Sequence, residues 1–261
     1  MAAKPTALLL GATGGIGRQV LTRLLDRGCP VTVIVRSAER LPTEAKGHQM
    51  LTVVEVGESQ GQLALTDLRE HVRCDAIVQC LGHNLSFSGM YGHPRRLCVD
   101  TVKRLCEAIR DAAPDKPVKL IVVNTEGVDR PDGGDTKTLR RGWCESCVLG
   151  MLKCCLPPHA DNVDTSAYLH TEARKNPCVS FCAVRPSNLV DDPPSEFSLH
   201  ETLQNGIFGA GCTTSRANVG EFMANMVTQP ELWTRWENTY PHILDVKTCD
   251  DRSSAGEQKT E

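Results

Sequence analysis

The sequence predicts an α/β fold in which helices cover both faces of a parallel sheet. Short apolar runs alternate with amphipathic stretches over the first 124 residues, as in repeated strand–helix–strand units. The predicted strands are apolar throughout, which is typical of strands buried on both faces. The 261 residues are 40% hydrophobic, so the chain can form one domain with a large core.

The first half of the chain gives the most regular pattern. An apolar run enters a glycine-rich turn, and apolar residues then recur at helical spacing from Ile16 to Leu25 before Gly28 ends the helix. A second helical stripe runs from Cys98 to Ile109. Buried strands are predicted at residues 6–10, 31–35, 51–56, 76–81 and 118–124. With a sixth strand at residues 179–184, these predict a doubly wound sheet in the order 3-2-1-4-5-6.

The second half is less regular. We predict a helix near Leu139–Cys155 that stops before Pro157, because proline cannot continue a helix. The next helices are expected to begin at Asp161 or Asn162 and after Asn218, each capped by those residues. The domain prediction is residues 1–249, with an insertion or lid at 129–165, followed by a disordered tail at 250–261.

Composition and charge exclude several classes of protein. The net charge is −3, so the basic footprint of a nucleic-acid-binding protein is missing. No apolar run approaches the roughly 20 residues that cross a bilayer, and no signal-peptide pattern opens the chain. The 13 cysteines are scattered through core segments, which favours buried thiols over a disulfide framework. These features predict a cytoplasmic protein whose partner is a small-molecule substrate or effector, with no membrane or nucleic acid involved.

A glycine motif follows the first predicted strand. Gly11, Gly14 and Gly17 are three residues apart and open a helix, which is the context that a dinucleotide-binding turn requires. Glycines allow close backbone approach, and free N–H groups at the helix N-terminus bind a pyrophosphate. The alternative is a purely structural turn. The predicted cofactor residues here are Gly11, Thr13, Gly14, Gly15, Ile16 and Gly17.

Arg36 follows the second strand, where NAD-binding proteins place an acidic residue against the ribose hydroxyls. Arginine at this position suits the 2′-phosphate instead, so the sequence predicts NADP(H) over NAD(H). Arg18 and Arg40 are near enough in sequence to assist. The alternative for each is a solvated surface arginine.

Polar and glycine residues close two further strands. Leu81 and Gly82 end the fourth strand, and Asn124 and Thr125 end the fifth. Ligands of open α/β sheets bind at the carboxyl ends of the strands. We therefore predict that Leu81, Gly82 and Asn124 contact the cofactor and that Thr125 offers a hydroxyl to the substrate.

These motifs resemble the atypical branch of the short-chain dehydrogenase/reductase superfamily, a group of NAD(P)H-binding proteins that includes NmrA-like regulators, epimerases and reductases. The resemblance spans residues 6–228 and includes Arg36, the Ile77–Gly82 strand end, Val184–Leu189 and Ser215–Val219. It implies a Rossmann-type fold, and it places Pro186 and Leu189 against the nicotinamide half of the cofactor. The helix that begins at Ser215–Val219 is expected near the pocket.

The chain departs from the classical catalytic pattern of that superfamily. The Tyr-x-x-x-Lys pair is missing, since Tyr168 is followed four residues later by Glu172. Thr125 and Tyr168 remain as candidate hydroxyl donors. The leading prediction is an NADP(H)-dependent oxidoreductase of a small carbonyl-type substrate. The alternatives are a non-catalytic NADP(H) redox sensor and an epimerase or isomerase with bound cofactor.

Several other reactive side chains are predicted to have structural rather than chemical roles. Cys144, Cys147, Cys154 and Cys155, with His159 nearby, could supply zinc ligands or a redox pair. Their position on a predicted helix favours ordinary apolar packing, so no metal is predicted. The loop residues His83 and His93 could act as acid or base, although polar loop histidines without such a role are common. Met223 and Met226 are expected to fill the core.

Overall fold

An eight-stranded, mostly parallel sheet forms the centre of the computed structural model, which describes residues 3–56, 68–83, 86–139, 141–207 and 212–246. The strand order is β3-β2-β1-β4-β5-β6-β10-β8, and only β8 is antiparallel to its neighbour. A separate two-stranded sheet pairs β7 with β9. The strands are β1 Ala7–Leu10, β2 Val31–Val35, β3 Leu51–Glu55, β4 Ala76–Gln79, β5 Val118–Val123, β6 Val179–Pro186, β7 Asn188–Val190, β8 Phe197–His200, β9 Thr213–Ser215 and β10 His242–Asp245.

Helices cover both faces of the sheet, which confirms the predicted doubly wound Rossmann-type fold and its strand order. One core lies between the sheet and the helices α1, α6 and α7, and the other lies under α3 and α5. Met223 and Met226 are buried in the first core, as predicted. The helices are α1 Gly15–Asp26, α2 Phe87–Tyr91, α3 Leu97–Ala112, α4 Trp143–Cys155, α5 Pro157–Thr171, α6 Arg216–Thr228 and α7 Pro230–Trp236.

Strand β3 corrects one prediction. It was expected to be buried, but it lies at the edge of the sheet, and Val53 is 40% exposed. Its apolar residues therefore reflect β-propensity as much as burial. The predicted tail, residues 250–261, lies outside the described residues.

Two helix starts also differ from the predictions. Helix α5 begins at Pro157, several residues before the expected caps Asp161 and Asn162, because proline is well suited to the first position of a helix. Helix α6 is capped by Ser215, whose Oγ accepts a hydrogen bond from the backbone N–H of Asn218 at 3.0 Å. Asn218 is thus inside the helix rather than at its cap.

The cysteines follow two patterns. Cys29, Cys98, Cys106 and Cys182 are buried, as small apolar side chains should be. The four cysteines of α4 are exposed instead, and no residue of that helix is buried, so the expectation that they pack in the core was wrong. The described part of the chain has 11 free cysteines, while Cys212 is disulfide-bonded. No helix in the described ranges has the length and apolarity needed to span a bilayer.

Candidate cofactor and substrate site

The glycine turn between β1 and α1 requires glycine for steric reasons. Gly11 has φ +83°, and a Cβ there would lie 2.6 Å from the carbonyl carbon of Cys80. A Cβ on Gly17 would lie 2.0 Å from the carbonyl oxygen of Gly11. The N–H of Gly14 donates to that same oxygen at 2.9 Å, which closes the turn. The turn therefore brings β1, β4 and α1 closer together than side chains would allow.

The first turn of α1 is a suitable cradle for an anion. The helix begins at Gly15, and the N–H groups of Gly15, Ile16 and Gly17 belong to the orphan donors of its first turn. Such donors bind phosphate groups. Arg216 lies over this turn, since a Cβ on Gly15 would be 2.6 Å from its Cδ. Its guanidinium forms an ion pair with Asp191 at 3.0 Å. The donor set matches a pyrophosphate.

A cavity of about 430 Å³ opens beside the turn. This volume lies within the range of small-molecule sites. The cavity brings together the predicted residues from three strand ends: Gly11 and Thr13 after β1, Arg36 after β2, and Leu81 and Gly82 after β4. Residues from the following loop and α3 complete the walls, among them His83, His93 and Thr101. The cavity is therefore bordered by residues that the sequence assigned to the cofactor.

Charged side chains lie at the end of β2 and at the neighbouring glycine turn. Arg36 is exposed and lines the cavity. Arg18 reaches back to the glycine turn, where its NH2 donates to the carbonyl of Thr13 at 3.3 Å. Glu55 accepts a hydrogen bond from the N–H of Ala38 at 3.2 Å. The Glu55 carboxylate is thus occupied by a backbone N–H group, while Arg36 lines the cavity.

A buried histidine–carboxylate pair forms one wall of the cavity. His83 Nε2 lies 2.8 Å from Asp161 Oδ2, and Asp161 also accepts hydrogen bonds from the N–H groups of Cys98 and Val99 at 2.7 and 2.9 Å. Asp161 on α5 therefore caps the first turn of α3. The hydrogen bond that His83 donates to Asp161 raises the pKa of His83, against the opposing effect of burial.

The same residues contain a possible metal-ligand set. Ligand atoms of His83, Cys98 and Asp161 lie within 4.8 Å of one another. Each is already engaged: His83 also contacts the carbonyl of Gly89 through Nδ1 at 3.3 Å, and the Cys98 thiol contacts the carbonyl of Leu81 at 3.4 Å. Burial raises the pKa of the Cys98 thiol. Hydrogen bonds therefore explain why these three residues lie together, and the bonds connect β4, α3 and α5.

The end of β5 carries the predicted pair Asn124 and Thr125. Asn124 is buried and its amide donates to the carbonyl of Asn162 at 3.1 Å and to Ser166 Oγ at 3.0 Å. It therefore holds α5 against β5. Thr125 Oγ1 accepts from the N–H of Gly127 at 3.3 Å, which leaves its O–H free to donate.

His159, which the sequence suggested only as a possible metal ligand, borders the same glycine as Thr125. A Cβ on Gly127 would lie 3.5 Å from His159 Cε1 and 3.8 Å from the Thr125 methyl carbon, so both side chains border this glycine. Burial lowers the pKa of His159, with further lowering from Arg141 and Lys153. The imidazole is therefore a neutral N–H donor near pH 7.

A buried polar network lies behind this strand end. Ser187 Oγ donates to Glu126 Oε2, and it also lies 3.1 Å from His242 Nε2. His242 Nδ1 accepts the N–H of Gln204 at 3.2 Å. Through these contacts β5, β6 and β10 hold one another and the loop at residue 204. Such fully connected networks fix one arrangement of a buried site.

A buried ion pair supports the segment after β6. Arg185 is fully buried and makes a two-point contact with Asp135, at 2.6 and 3.1 Å. Burial alone would raise the pKa of Asp135, but Arg185 and the N–H groups of Arg130 and Leu203 hold it below its usual value. The pair ties the 128–135 loop to β6. The predicted cofactor residues Pro186 and Leu189 directly follow it, at the end of β6 and in β7.

Tyr168, the second predicted hydroxyl donor, lies between α5 and α3. Lys103 sits 5.6 Å from its ring centroid, and the tyrosine packs partly buried against the core under these helices. Burial and neighbouring Cys106 and Glu107 raise the pKa of its phenol. Its contacts thus face α3, whereas those of Thr125 and His159 lie at the end of β5.

The fold and this site define a dinucleotide-binding protein. Comparison with family models agrees: the model of an NAD(P)H-binding family matches residues 11–230. The chain belongs to this NAD(P)H-binding family. No functionally curated protein matches the sequence at a significant level.

Several solved structures share the fold. An oxidoreductase from Lactococcus lactis has a TM-score of 0.62 at 13% identity, with 92% of this chain and 90% of that chain covered. An anaerobilin reductase from Escherichia coli O157:H7 has a TM-score of 0.61 at 15% identity, with 92% and 97% covered. A structure provisionally named as an NAD-dependent epimerase/dehydratase from Bacillus halodurans has a TM-score of 0.60 at 14% identity, with 92% and 94% covered.

Sequence patterns indicated the glycine turn but not the supporting residues. Asp161, His159 and Arg216 come from helices that are distant in sequence from the turn and from β5. Two signals existed: the resemblance placed the helix that contains Arg216 near the pocket, and the Pro157-Pro158 pair fixes where α5 begins and hence which residues lie in its first turns. Pairing them with His83, Thr125 and Gly15 requires the packed structure.

Proposed function

We propose that the protein is an NADP(H)-dependent reductase of a small carbonyl-type substrate. The observation that supports the cofactor choice is Arg36, a guanidinium at the end of β2 that lines the cavity where an NAD-binding protein carries a carboxylate. Arginine binds a phosphate group through paired, charge-assisted hydrogen bonds. The 2′-phosphate of NADP(H) is the group that such a side chain recognises.

The other proposed cofactor contacts are deduced by placing the pyrophosphate at the glycine turn. The orphan N–H groups of α1 hold the two phosphates, and Arg216 adds a cation on the open side of Gly15. We infer that Leu81 and Gly82, which line the cavity, border the adenosine and ribose. The strand-end position assigns Asn124 to the cofactor as well, and the family resemblance assigns Pro186 and Leu189 to its nicotinamide half. NADP(H), when bound, supplies the hydride.

Thr125 and His159 are the proposed hydrogen-bond donors to the substrate carbonyl, and the proton that completes the alcohol after hydride transfer comes from solvent. Both are neutral donors at the end of β5, where the substrate of an open α/β sheet binds. Thr125 donates its O–H to the carbonyl oxygen, and the N–H of His159 polarises the same atom. Because the pKa of His159 is lowered, its neutral form persists through neutral pH and is lost only in acid. Tyr168 serves as the control in the substitution experiment, because its contacts face α3 rather than the end of β5.

Calorimetric titration with NADPH and NADH tests the cofactor proposal. We expect NADPH to bind more tightly, and Arg36→Ala to lose about 10- to 150-fold in NADPH affinity, which corresponds to a charge-assisted hydrogen bond of about 1.5–3 kcal/mol. NADH affinity should be unchanged. Arg40→Ala is a matched control, since Arg40 is an exposed arginine outside the cavity lining. An Arg36→Ala variant that keeps its NADPH preference would contradict the assignment.

A turnover screen tests the reaction. NADPH oxidation is followed with quinones, aldehydes and enones, and each active substrate is repeated with Thr125→Val, His159→Asn and Tyr168→Phe. We expect kcat to fall in the first two variants, to stay near wild type in the third, and to remain nearly flat above about pH 6.5 in the wild type. Unchanged activity in both Thr125→Val and His159→Asn would reject these donors.

The absence of a Tyr-x-x-x-Lys pair favours one alternative, a non-catalytic NADP(H) redox sensor. Tight NADPH binding with no turnover of any carbonyl class would support the sensor. Substrate conversion without net NADPH consumption would support the epimerase or isomerase alternative instead.

A further inference from the structure

His83 follows β4, and both of its ring nitrogens face hydrogen-bond acceptors. Nε2 lies 2.8 Å from a carboxylate oxygen of Asp161, and Nδ1 lies 3.3 Å from the carbonyl oxygen of Gly89. The carbonyl oxygen cannot donate, and the Asp161 carboxylate already accepts two backbone N–H groups. A neutral imidazole donates from one nitrogen only. The two contacts together therefore require the doubly protonated imidazolium form of His83.

The contact with Gly89 fastens a weakly held segment to the interior. Gly89 lies in α2, and no residue of this five-residue helix is buried. The other described hydrogen bonds of α2 stay within residues 86–95. The segment nevertheless supplies one side of the cavity, through Ser86, Ser88, Gly89, His93 and Pro94. The position of this cavity wall thus relies on the bond between His83 and Gly89.

We propose that the His83 imidazolium positions this wall, so that a nicotinamide dinucleotide binds most tightly while His83 is protonated. The proposal rests on the cofactor site proposed above but not on the reductase reaction. When His83 loses one proton, the shorter, charge-assisted bond to Asp161 keeps the remaining N–H. Nδ1 and the carbonyl oxygen of Gly89 are then both acceptors, and no hydrogen bond forms between them. The 86–94 segment is released from the interior, and affinity falls.

The other titratable and charged groups around His83 have different roles. Asp161 of α5 is the carboxylate that holds the imidazolium, and α2 carries no acidic or basic residue. The Cys98 thiol of α3 lies within 4.8 Å of a His83 ring nitrogen, and burial raises its pKa, so it stays neutral. Arg36 and His93 line the same cavity. Arginine keeps its charge throughout, which leaves the exposed His93 as the matched control imidazole.

The expected pH dependence has a definite sign. Because the protonated form binds better, affinity should be highest at low pH and should fall as the pH rises through the folded pKa of His83, which Asp161 raises. The loss of one hydrogen bond from the wall should weaken binding by roughly 2- to 13-fold. A phosphate monoester titrates near about pH 6. NADPH is therefore titrated only from about pH 7 to about pH 9, and NADH, which lacks the 2′-phosphate, is measured alongside it.

The test is calorimetric titration of both dinucleotides into the full-length wild type, His83→Gln and His93→Gln, with circular dichroism to check folding. We expect the wild type to lose affinity over this pH range. His83→Gln should bind more weakly at the lower pH and show little pH dependence, while His93→Gln should keep the pH dependence of the wild type. Hydrogen–deuterium exchange of the wild type gives a second measurement that needs no variant. After correction for the intrinsic rate, the amides of residues 86–94 should exchange faster as the pH rises, and those of α6 should not.

Several results would overturn the proposal. They are equal wild-type affinity across the pH range, an unchanged pH dependence in His83→Gln, and loss of the pH dependence in His93→Gln. Exchange of the 86–94 amides that does not respond to pH would also overturn it. If neither dinucleotide binds at any pH, the proposed cofactor site fails, and the exchange measurement alone decides whether His83 holds α2 in place.

Discussion

The glycine-turn half of the molecule and the substrate-side half are held in place by different kinds of contact. From β1 to β4 the site is built by backbone, with Gly11 and Gly17 packed against carbonyl groups of neighbouring segments. From β5 onward it is built by buried side chains, such as Arg185 with Asp135 and Asn124 with Ser166. The first kind of contact is visible in a short sequence motif. The second depends on residues 40 or more positions apart.

The largest effect is expected for a substitution in the substrate-side half, which is held in place by buried side chains. Arg185→Ala leaves the buried carboxylate of Asp135 without its partner, and such a change costs about 3–5 kcal/mol. Urea denaturation should show this loss of unfolding free energy. The double variant Arg185→Met/Asp135→Leu removes both charges and should recover part of it. A loss below about 1 kcal/mol for Arg185→Ala would show that this half does not depend on the pair.

The second prediction tests the backbone half with two glycines of positive φ. Gly11→Ala should both destabilise the protein and abolish NADPH binding, because its Cβ would meet the backbone of Cys80. Gly28→Ala has the same φ strain, at +72°, but no atom lies within 4 Å of its Cβ. It should cost only about 1–2 kcal/mol and leave cofactor affinity unchanged. Equal effects in the two variants would mean that φ strain, rather than close packing, makes glycine necessary in the turn.

A smaller effect is expected at the cap of α6. Ser215→Ala removes the acceptor for the N–H of Asn218 and should cost about 1 kcal/mol in thermal or urea unfolding. Ser86→Ala removes the corresponding cap of the five-residue helix α2, where the N–H of Gly89 donates at 3.1 Å. We expect a smaller loss there, because Ser86 is exposed and Ser215 is buried. The reverse order would contradict the burial argument.

The smallest effect is a pH dependence at the junction of the two halves. The pKa of His83 is raised by Asp161, so His83 contributes stability that is complete below its unfolded value of about 6.5 and lost as pH rises through its folded value. The difference in unfolding free energy between wild type and His83→Gln should therefore be largest below about pH 6.5 and shrink as the pH rises above that value. The lowered pKa values of His159 and His200 act in the opposite direction but cancel in this comparison. A difference that grows with pH would reverse the assignment.

Part of the fold and site could be predicted because it depends on local rules. The glycine spacing, the apolar runs and the strand-end positions of Arg36 and Gly82 predicted that these residues share one edge of the sheet, and in the structure they line one cavity. Predicted helix boundaries were wrong where two sequence rules pointed to different starting residues. Asp161 looked like a helix cap, and it does cap a helix, but the helix is α3 rather than its own.

The sequence by itself determined the parallel sheet, its strand order and the turn that approaches the dinucleotide, because periodicity and glycine stereochemistry act over a few residues. Only the tertiary structure decided which side chains meet. His159 and Thr125 border the same glycine, Gly127, and Arg216 lies against Gly15, through helices whose positions are set by packing on the sheet. It also decided that the cysteines of α4 face solvent, since a helical stripe of apolar residues does not specify which neighbour, if any, will cover it.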